Sequence, residues 1–232
     1  MARADSDPRE SEMHVLNIGK IGYQKAWDLQ QMVFTQRLRD EMDDTMLLCE
    51  HPHTYTVGKN GVDNLSRHLL LNKEELAANG ISVFEIDRGG DITYHGPGQL
   101  VGYPILNLNN YYRDVHRYLR DLEEVILKTL AKFSITARRV EESTGVWVDT
   151  PSGPEKICAI GVKVTRWITM HGFALNMNAN LDYFNHIIPC GISDKGVTSM
   201  SKILDRLVDE RAVIDAVDAS FREVFVSRAI AA

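Results

Sequence analysis

The sequence has no long apolar run, no cysteine framework, no surplus of positive charge and no nucleotide-binding glycine pattern, and each lack removes a class of function. No stretch approaches the roughly 18 uninterrupted apolar residues that a transmembrane helix needs, so no membrane role is expected. The first twelve residues, MARADSDPRESE, mix charges and carry no apolar core segment. They do not read as a secretory signal, and a cytoplasmic location is expected. Lys plus Arg number 26 against 32 Asp plus Glu, a net charge of -6. That balance argues against bulk binding to nucleic acid or to an anionic membrane. The three cysteines, Cys49, Cys158 and Cys190, are odd in number and far apart, which allows neither a disulfide framework nor a Cys-x-x-Cys metal site. A lone thiol is by default a small buried hydrophobe, with a nucleophile as the alternative. His51 and His53 come without a third ligand, and no metal is expected. No Walker loop or Gly-x-Gly-x-x-Gly turn is present, so no cofactor is expected.

What is present is the composition of one ordinary globular domain, with 232 residues, 44% hydrophobic and 25% charged. A chain of this length buries roughly 70% of its unfolded surface and needs no staple to fold. Residues 1–12 read as a flexible polar tail and residues 13–232 as a single domain. Tyr23, Trp27, Val33, Phe34 and Leu38 recur near helical period, as do Leu119, Leu122, Val125, Ile126 and Leu130, and Val213, Val217, Phe221, Val224 and Phe225. Each set predicts an amphipathic helix. A short helix follows Asn72, a candidate N-cap with Glu75 at the capping-box position. Strands are expected at MHVLNIG, TMLLCEH, HTYTV, ISVFEID, LVGYPI, ITARRV, GVWVDT, KICAIGVKV and FALNMN, with TRWITMHG as a connector between the last two. Helices interleaved unevenly with runs of adjacent strands predict an α/β (α+β) domain with a mixed sheet flanked by helices.

The most unusual stretch is RGGDITYHGPGQLVGYPI, Arg88 to Ile105. Gly89 and Gly90 let main-chain N–H groups approach a ligand. Gly96-Pro97-Gly98 suits a type II turn, with Pro97 and Gly98 at its central positions. Arg88, Thr93, Tyr94, His95 and Gln99 add polar groups that could orient a carbonyl or phosphate. On composition alone the stretch reads equally well as a tight surface loop whose Arg and His satisfy backbone carbonyls.

Arg88-Gly89-Gly90, Thr93-Tyr94-His95, Gly98-Gln99 and Tyr103 closely resemble the signature loop of the lipoyl(octanoyl) transferases. EHPHTYTVG, EKICAIGVKV, HGFALNMN and IPCGI resemble further segments of that family in the same order, so the resemblance runs from about residue 13 to 205. It implies a domain similar to the catalytic domains of biotin and lipoate protein ligases. It also implies an activity: moving an octanoyl group from acyl carrier protein to the lysine of lipoyl domains, those of 2-oxoacid dehydrogenase complexes and of the glycine cleavage H protein. By position, Cys190 in PCG is the acyl-carrying nucleophile and Lys156 in EKICAIG its activating partner. The substrate-binding segments carried over are Arg88, Gly89, Gly90, Asp91, Ile92, Thr93, Tyr94 and His95, then Ala159, Ile160 and Gly161, then Gly172, Phe173 and Ala174.

The chemistry is consistent with those residue types. Only a few per cent of a free thiol is ionised near neutral pH, so a cation beside it is valuable, and a lysine that sheds its proton can accept one from the attacking amine. Strand alternation puts Lys156, Cys158 and Ile160 on one face, which makes Cys158 the rival nucleophile, although its apolar neighbours favour a buried thiol. Oxyanion donors are expected from the glycine-rich loop or from Gly191. His95 reads equally as an orienting residue and as a satisfied structural histidine. A basic rim of Arg138, Arg139, Lys163 and Arg166 is expected to steer an acidic carrier. An ATP-dependent ligase of the same fold, or a non-catalytic module that binds lipoyl domains, are the competing readings.

Overall fold

A computed structural model describes residues 13–188 and 196–229. The expected tail, residues 1–12, and the PCG segment with Cys190 lie outside the described residues. In chain order the elements are β1 (His14–Lys20), α1 (Tyr23–Leu38), β2 (Thr45–Glu50), β3 (Thr54–Val57), α2 (Leu65–His68), α3 (Lys73–Ala78) and β4 (Ser82–Glu85). There follow β5 (Ile92–His95), β6 (Gln99–Ile105), α4 (Val115–Ala131), β7 (Arg138–Val140) and β8 (Ser143–Thr150). The last are β9 (Gly153–Thr165), β10 (Ile168–Asn176), α5 (Met200–Leu204) and α6 (Glu210–Ala229).

Among the described residues the strands form a seven-stranded sheet, ordered β1-β2-β6-β10-β9-β8-β7, and a three-stranded sheet, ordered β4-β3-β5. Both are mixed: β1 with β2 and β3 with β4 are parallel, and the remaining named pairs are antiparallel. Alternation along the central strands gives each face of the large sheet its own core. Leu48, Leu100, Phe173 and Leu175 face α4 and α6, where Leu122, Ile126, Val217 and Phe221 are buried. Leu47, Cys49, Val101 and Ala174 face α1 through Ala26 and Val33. The small sheet has a third core, built on Tyr55, Val57, Ile92 and Tyr94. No helix among the described residues is long and apolar enough to cross a membrane.

Local signals account for several boundaries. Asn72 Oδ1 accepts from Glu75 N–H at 2.9 Å and Glu75 Oε2 accepts from Asn72 N–H at 2.8 Å, the reciprocal capping box that starts α3. At Gly96-Pro97-Gly98, Gln99 N–H donates to Gly96 C=O at 3.1 Å and Gly98 takes φ +79°, the type II turn. A Cβ on Gly98 would also lie 2.6 Å from the Asn178 carbonyl, so the close approach requires glycine as well.

Two expectations need correction. TRWITMHG is not a connector: β9 and β10 pair through Ile168↔Thr165, and only Arg166 and Trp167, at φ +52° and +65°, form the turn. Two residues at positive φ match the right-handed twist of the strands they join. ITARRV contributes only Arg138–Val140 to the sheet.

Candidate active site

A cleft of about 740 Å³ opens between the large sheet and the small one. Its floor is made of small residues because two strands pair there in register, Gly161 opposite Gly172 and Ala159 opposite Ala174. Arg88, Gly90, Asp91, Ile92, Thr93 and His95 form one wall, and Tyr23 of α1 and Tyr103 of β6 close the back. Ile160, Phe173 and Lys156 line the other end, together with Ile188 and Gly196, the described residues on either side of the Cys190 segment. Gly89 and Tyr94 are not among the lining residues. Gly89 N–H donates to Val162 C=O at 2.9 Å, tying the loop to β9. Tyr94 points into the small-sheet core, hydrogen-bonded through its hydroxyl to His53 Nδ1 at 2.7 Å and stacked on Tyr183.

Arg88 is buried. Its NH2 group donates to Thr56 C=O at 2.8 Å and to Thr56 Oγ1 at 3.0 Å, and NH1 donates to Gly89 C=O at 2.9 Å. Burial lowers the affinity of this guanidinium for its proton. Just before it, Asp87 accepts from His171 Nε2 at 2.8 Å through one oxygen and from Lys163 Nζ through the other. These bonds hold the Asp87 carboxyl well below the usual range. His171 takes φ +56° within β10, a left-handed conformation uncommon for a residue other than glycine, while its pairing with Val162 stays in register. Sequence reasoning missed Asp87, His171 and Tyr23. The pairing of Asp87 with His171 spans 84 residues, so only their places beside Arg88 and Gly172 hinted at it.

Lys156 reaches the cleft through a β-bulge. Val146 pairs with Cys158 and Trp147 with Lys156, which leaves Ile157 without an opposite residue. The expected shared face of Lys156, Cys158 and Ile160 is therefore broken. Ile157 and Cys158 both enter the helical core, while Lys156 lines the cleft with its Nζ 4.6 Å above the Trp147 ring. The Lys156 main chain is held by the segment that returns after the Cys190 loop: Lys156 N–H donates to Gly196 C=O at 2.9 Å, and Thr198 N–H donates to Lys156 C=O at 3.0 Å. Cys49 and Cys158 are buried, and burial pushes both thiols far up.

The histidines of the site are tied to the fold. His51 Nδ1 donates to Ile21 C=O at 2.8 Å, and its Nε2 lies 2.7 Å from the Tyr103 hydroxyl. His95 lies between Gln99 and Thr56, and burial pulls its pKa from 6.5 down to about 3. Between those values the unfolded chain binds a proton that the folded chain refuses, so this contribution is complete above pH 6.5 and shrinks as the pH falls. Acidification to about pH 4.5 is expected to cost about 3 kcal/mol of stability through His95. Urea midpoints at both pH values check this, and His95→Gln should lose clearly less; equal losses in the two proteins would remove His95 as the cause. Of the proposed basic rim, Arg138 pairs with Asp149, Arg139 with Glu123 and Glu124, and Lys163 with Asp87. Paired in this way, these cations project little field into solvent.

A sequence profile of the lipoyl protein ligase A/B catalytic domain matches residues 22–222. The octanoyltransferase of Cytophaga hutchinsonii is 49% identical over 216 residues, covering 87% of each chain. That of Flavobacterium psychrophilum is 49% identical over 223 residues, covering 90% of this chain and 94% of the relative. The chain belongs to the octanoyltransferase family. Solved structures show the same fold at low identity. The bipartite lipoate protein ligase of Thermoplasma acidophilum superposes with a TM-score of 0.71 at 16% identity, covering 94% of this chain and 84% of that one. Lipoate-protein ligase A bound with ATP superposes with a TM-score of 0.69 at 15% identity, covering 94% and 86%. The mixed-sheet α/β domain expected from the sequence is the one observed.

Proposed function

We propose that this octanoyltransferase takes an octanoyl group from the thioester of an acyl carrier protein, holds it as a thioester on Cys190, and delivers it to the lysine of a lipoyl domain. The lipoyl domains of 2-oxoacid dehydrogenase complexes and the glycine cleavage H protein are the acceptors in this reading, and the cytoplasm its setting. The observation that carries it is the cleft itself, a small-residue floor bordered by Lys156 at the end where Ile188 and Gly196 flank the Cys190 segment. Ile160, Phe173 and Ala174 give it an apolar side. Burial there is worth about 0.8 kcal/mol for each methylene of an eight-carbon chain, so no charged contact is needed to hold the acyl group.

In the first half-reaction the Cys190 thiolate attacks the carrier thioester carbonyl and the carrier thiolate leaves, its charge offset by the Lys156 ammonium, which then gives its proton to the departing thiolate and is left neutral. In the second, the acceptor amine attacks the Cys190 thioester, the Cys190 thiolate leaves, and the proton given up by the amine passes to Lys156. The burial of Cys49 and Cys158 supports giving the nucleophilic role to the third cysteine.

Intact-protein mass spectrometry after incubation with octanoyl carrier protein tests the reading. One octanoyl adduct is expected, removed by hydroxylamine, absent in Cys190→Ala and retained in Cys158→Ala. Peptide mapping of the adduct to Cys158 or Cys49, or transfer that proceeds only with ATP and magnesium, would overturn it.

A further inference from the structure

We propose that Thr56, His95, Gln99 and Asn176 form a one-way hydrogen-bond relay that holds the glycine-rich loop in register with the strand carrying Lys156, with Gln99 and Asn176 as its positioning residues. The inference deepens the acyl-transfer reading and rests on it for its kinetic test.

Two main-chain carbonyls, which can only accept, fix the direction of the relay. Thr198 C=O lies 2.9 Å from Asn176 Nδ2, so the Asn176 amide nitrogen faces it and Oδ1 is left toward Gln99. Gln99 Nε2 donates to that Oδ1 at 2.9 Å and to Tyr94 C=O at 3.1 Å. Gln99 Oε1 is thereby turned toward His95 Nδ1, 2.9 Å away, and His95 has to donate there. A neutral imidazole that carries its proton on Nδ1 has a bare Nε2, and this atom lies 3.3 Å from the Thr56 hydroxyl, which donates to it. Thr56 Oγ1 in turn accepts from Arg88 NH2 at 3.0 Å. At the far end Thr198 N–H donates to Lys156 C=O at 3.0 Å. Every bond from Arg88 to Lys156 therefore points the same way.

All the intermediate groups are buried, none more than 6% exposed. A buried polar atom is costly unless its bond is made, so such a chain is stable in one arrangement only. An apolar filling of equal volume would tolerate small shifts between loop and strand; this chain does not. Bonds aligned head to tail also polarise one another, so a change in the middle reaches both ends. The relay thus fixes the two ends of the cleft, Arg88 and Lys156, relative to each other.

A double-mutant cycle on single-turnover octanoyl transfer tests the proposal with Thr56→Val and Asn176→Asp. Each single change is expected to slow the maximal rate roughly tenfold, with KM for the octanoyl carrier within about twofold, and the double mutant to be no slower than about tenfold. Thr56→Ser, which keeps the hydroxyl, should restore the rate. Losses that multiply to about a hundredfold, or that fall on KM, would overturn the relay. Nitrogen NMR of His95 needs no turnover. Wild type should show a neutral ring with the proton on Nδ1, and Asn176→Asp should move that proton's resonance through Gln99; a proton on Nε2, or an unmoved signal, would overturn the proposal. If the wild type transfers no octanoyl group, the acyl-transfer reading fails while the His95 spectrum still decides the relay. Should Asn176→Asp fail to fold, Gln99→Met replaces it in the cycle, and in the spectrum the His95 Nδ1 proton is expected to lose its bonded signature.

Discussion

Lys156→Arg is expected to keep acylation of Cys190 but to slow delivery of the acyl group from pre-acylated enzyme by about 100-fold or more, the scale of a lost general base. Arginine keeps the charge that favours a thiolate, yet it does not deprotonate in the range where enzymes work and so cannot take the proton of the attacking amine. Lys156→Ala removes both contributions. It should raise the pH midpoint for alkylation of Cys190 and slow both half-reactions. The surroundings make the comparison clean. The Lys156 ammonium lies 4.6 Å above the Trp147 ring, where a guanidinium can also stack. Gly145 leaves room for the longer side chain, since a Cβ there would already touch Lys156 Cε at 3.4 Å. Equal rates of acyl transfer out of pre-acylated wild-type and Lys156→Arg enzyme would reduce Lys156 to an electrostatic partner only.

The features legible in the sequence were those that local physics dictates. The helices α1, α4 and α6 announced themselves through apolar residues at helical period, α3 through Asn72 and Glu75, and the turn at Pro97 through its flanking glycines. The β9–β10 hairpin was hidden because Arg166 and Trp167 take up positive φ without the Asn or Gly that usually marks such a turn. The bulge at Ile157 was hidden for a related reason: period-2 counting assumes an unbroken ladder, and one extra residue reverses the face on which Lys156 emerges. The wall and floor of the cleft were nearly all named through resemblance and glycine content. Tyr94 was the exception among the loop's side chains, because it faces the small-sheet core while its neighbours Thr93 and His95 line the cleft. Asp87 and His171 could not be found by spacing. Their contact depends on a left-handed residue in mid-strand, and no pattern of residue types encodes that.

The two glycines of the cleft floor should fail in opposite ways when given a methyl group. Gly172 lies against the neighbouring strand, where a Cβ would sit 2.2 Å from Gly102 O and 2.6 Å from Pro104 Cδ. Those atoms belong to the centre of the large sheet, and relief requires β6 and β10 to separate. Gly172→Ala is therefore expected to destabilise the fold by about 3 kcal/mol or more, the upper range for overpacking. At Gly161 a Cβ would meet Gly89 O at 3.0 Å and Arg88 Cδ at 3.1 Å, atoms of a loop and of a side chain that can give by a few tenths of an ångström. Gly161→Ala should leave stability within about 1 kcal/mol of wild type while shifting Arg88 by a few tenths of an ångström on Thr56, so its loss should appear in single-turnover acyl transfer. Urea midpoints and single-turnover rates on both variants separate the two effects. A Gly172→Ala protein as stable as wild type would mean that β6 and β10 yield there at no cost, and a fully active Gly161→Ala would mean that the close packing of Arg88 on the floor is not needed for transfer.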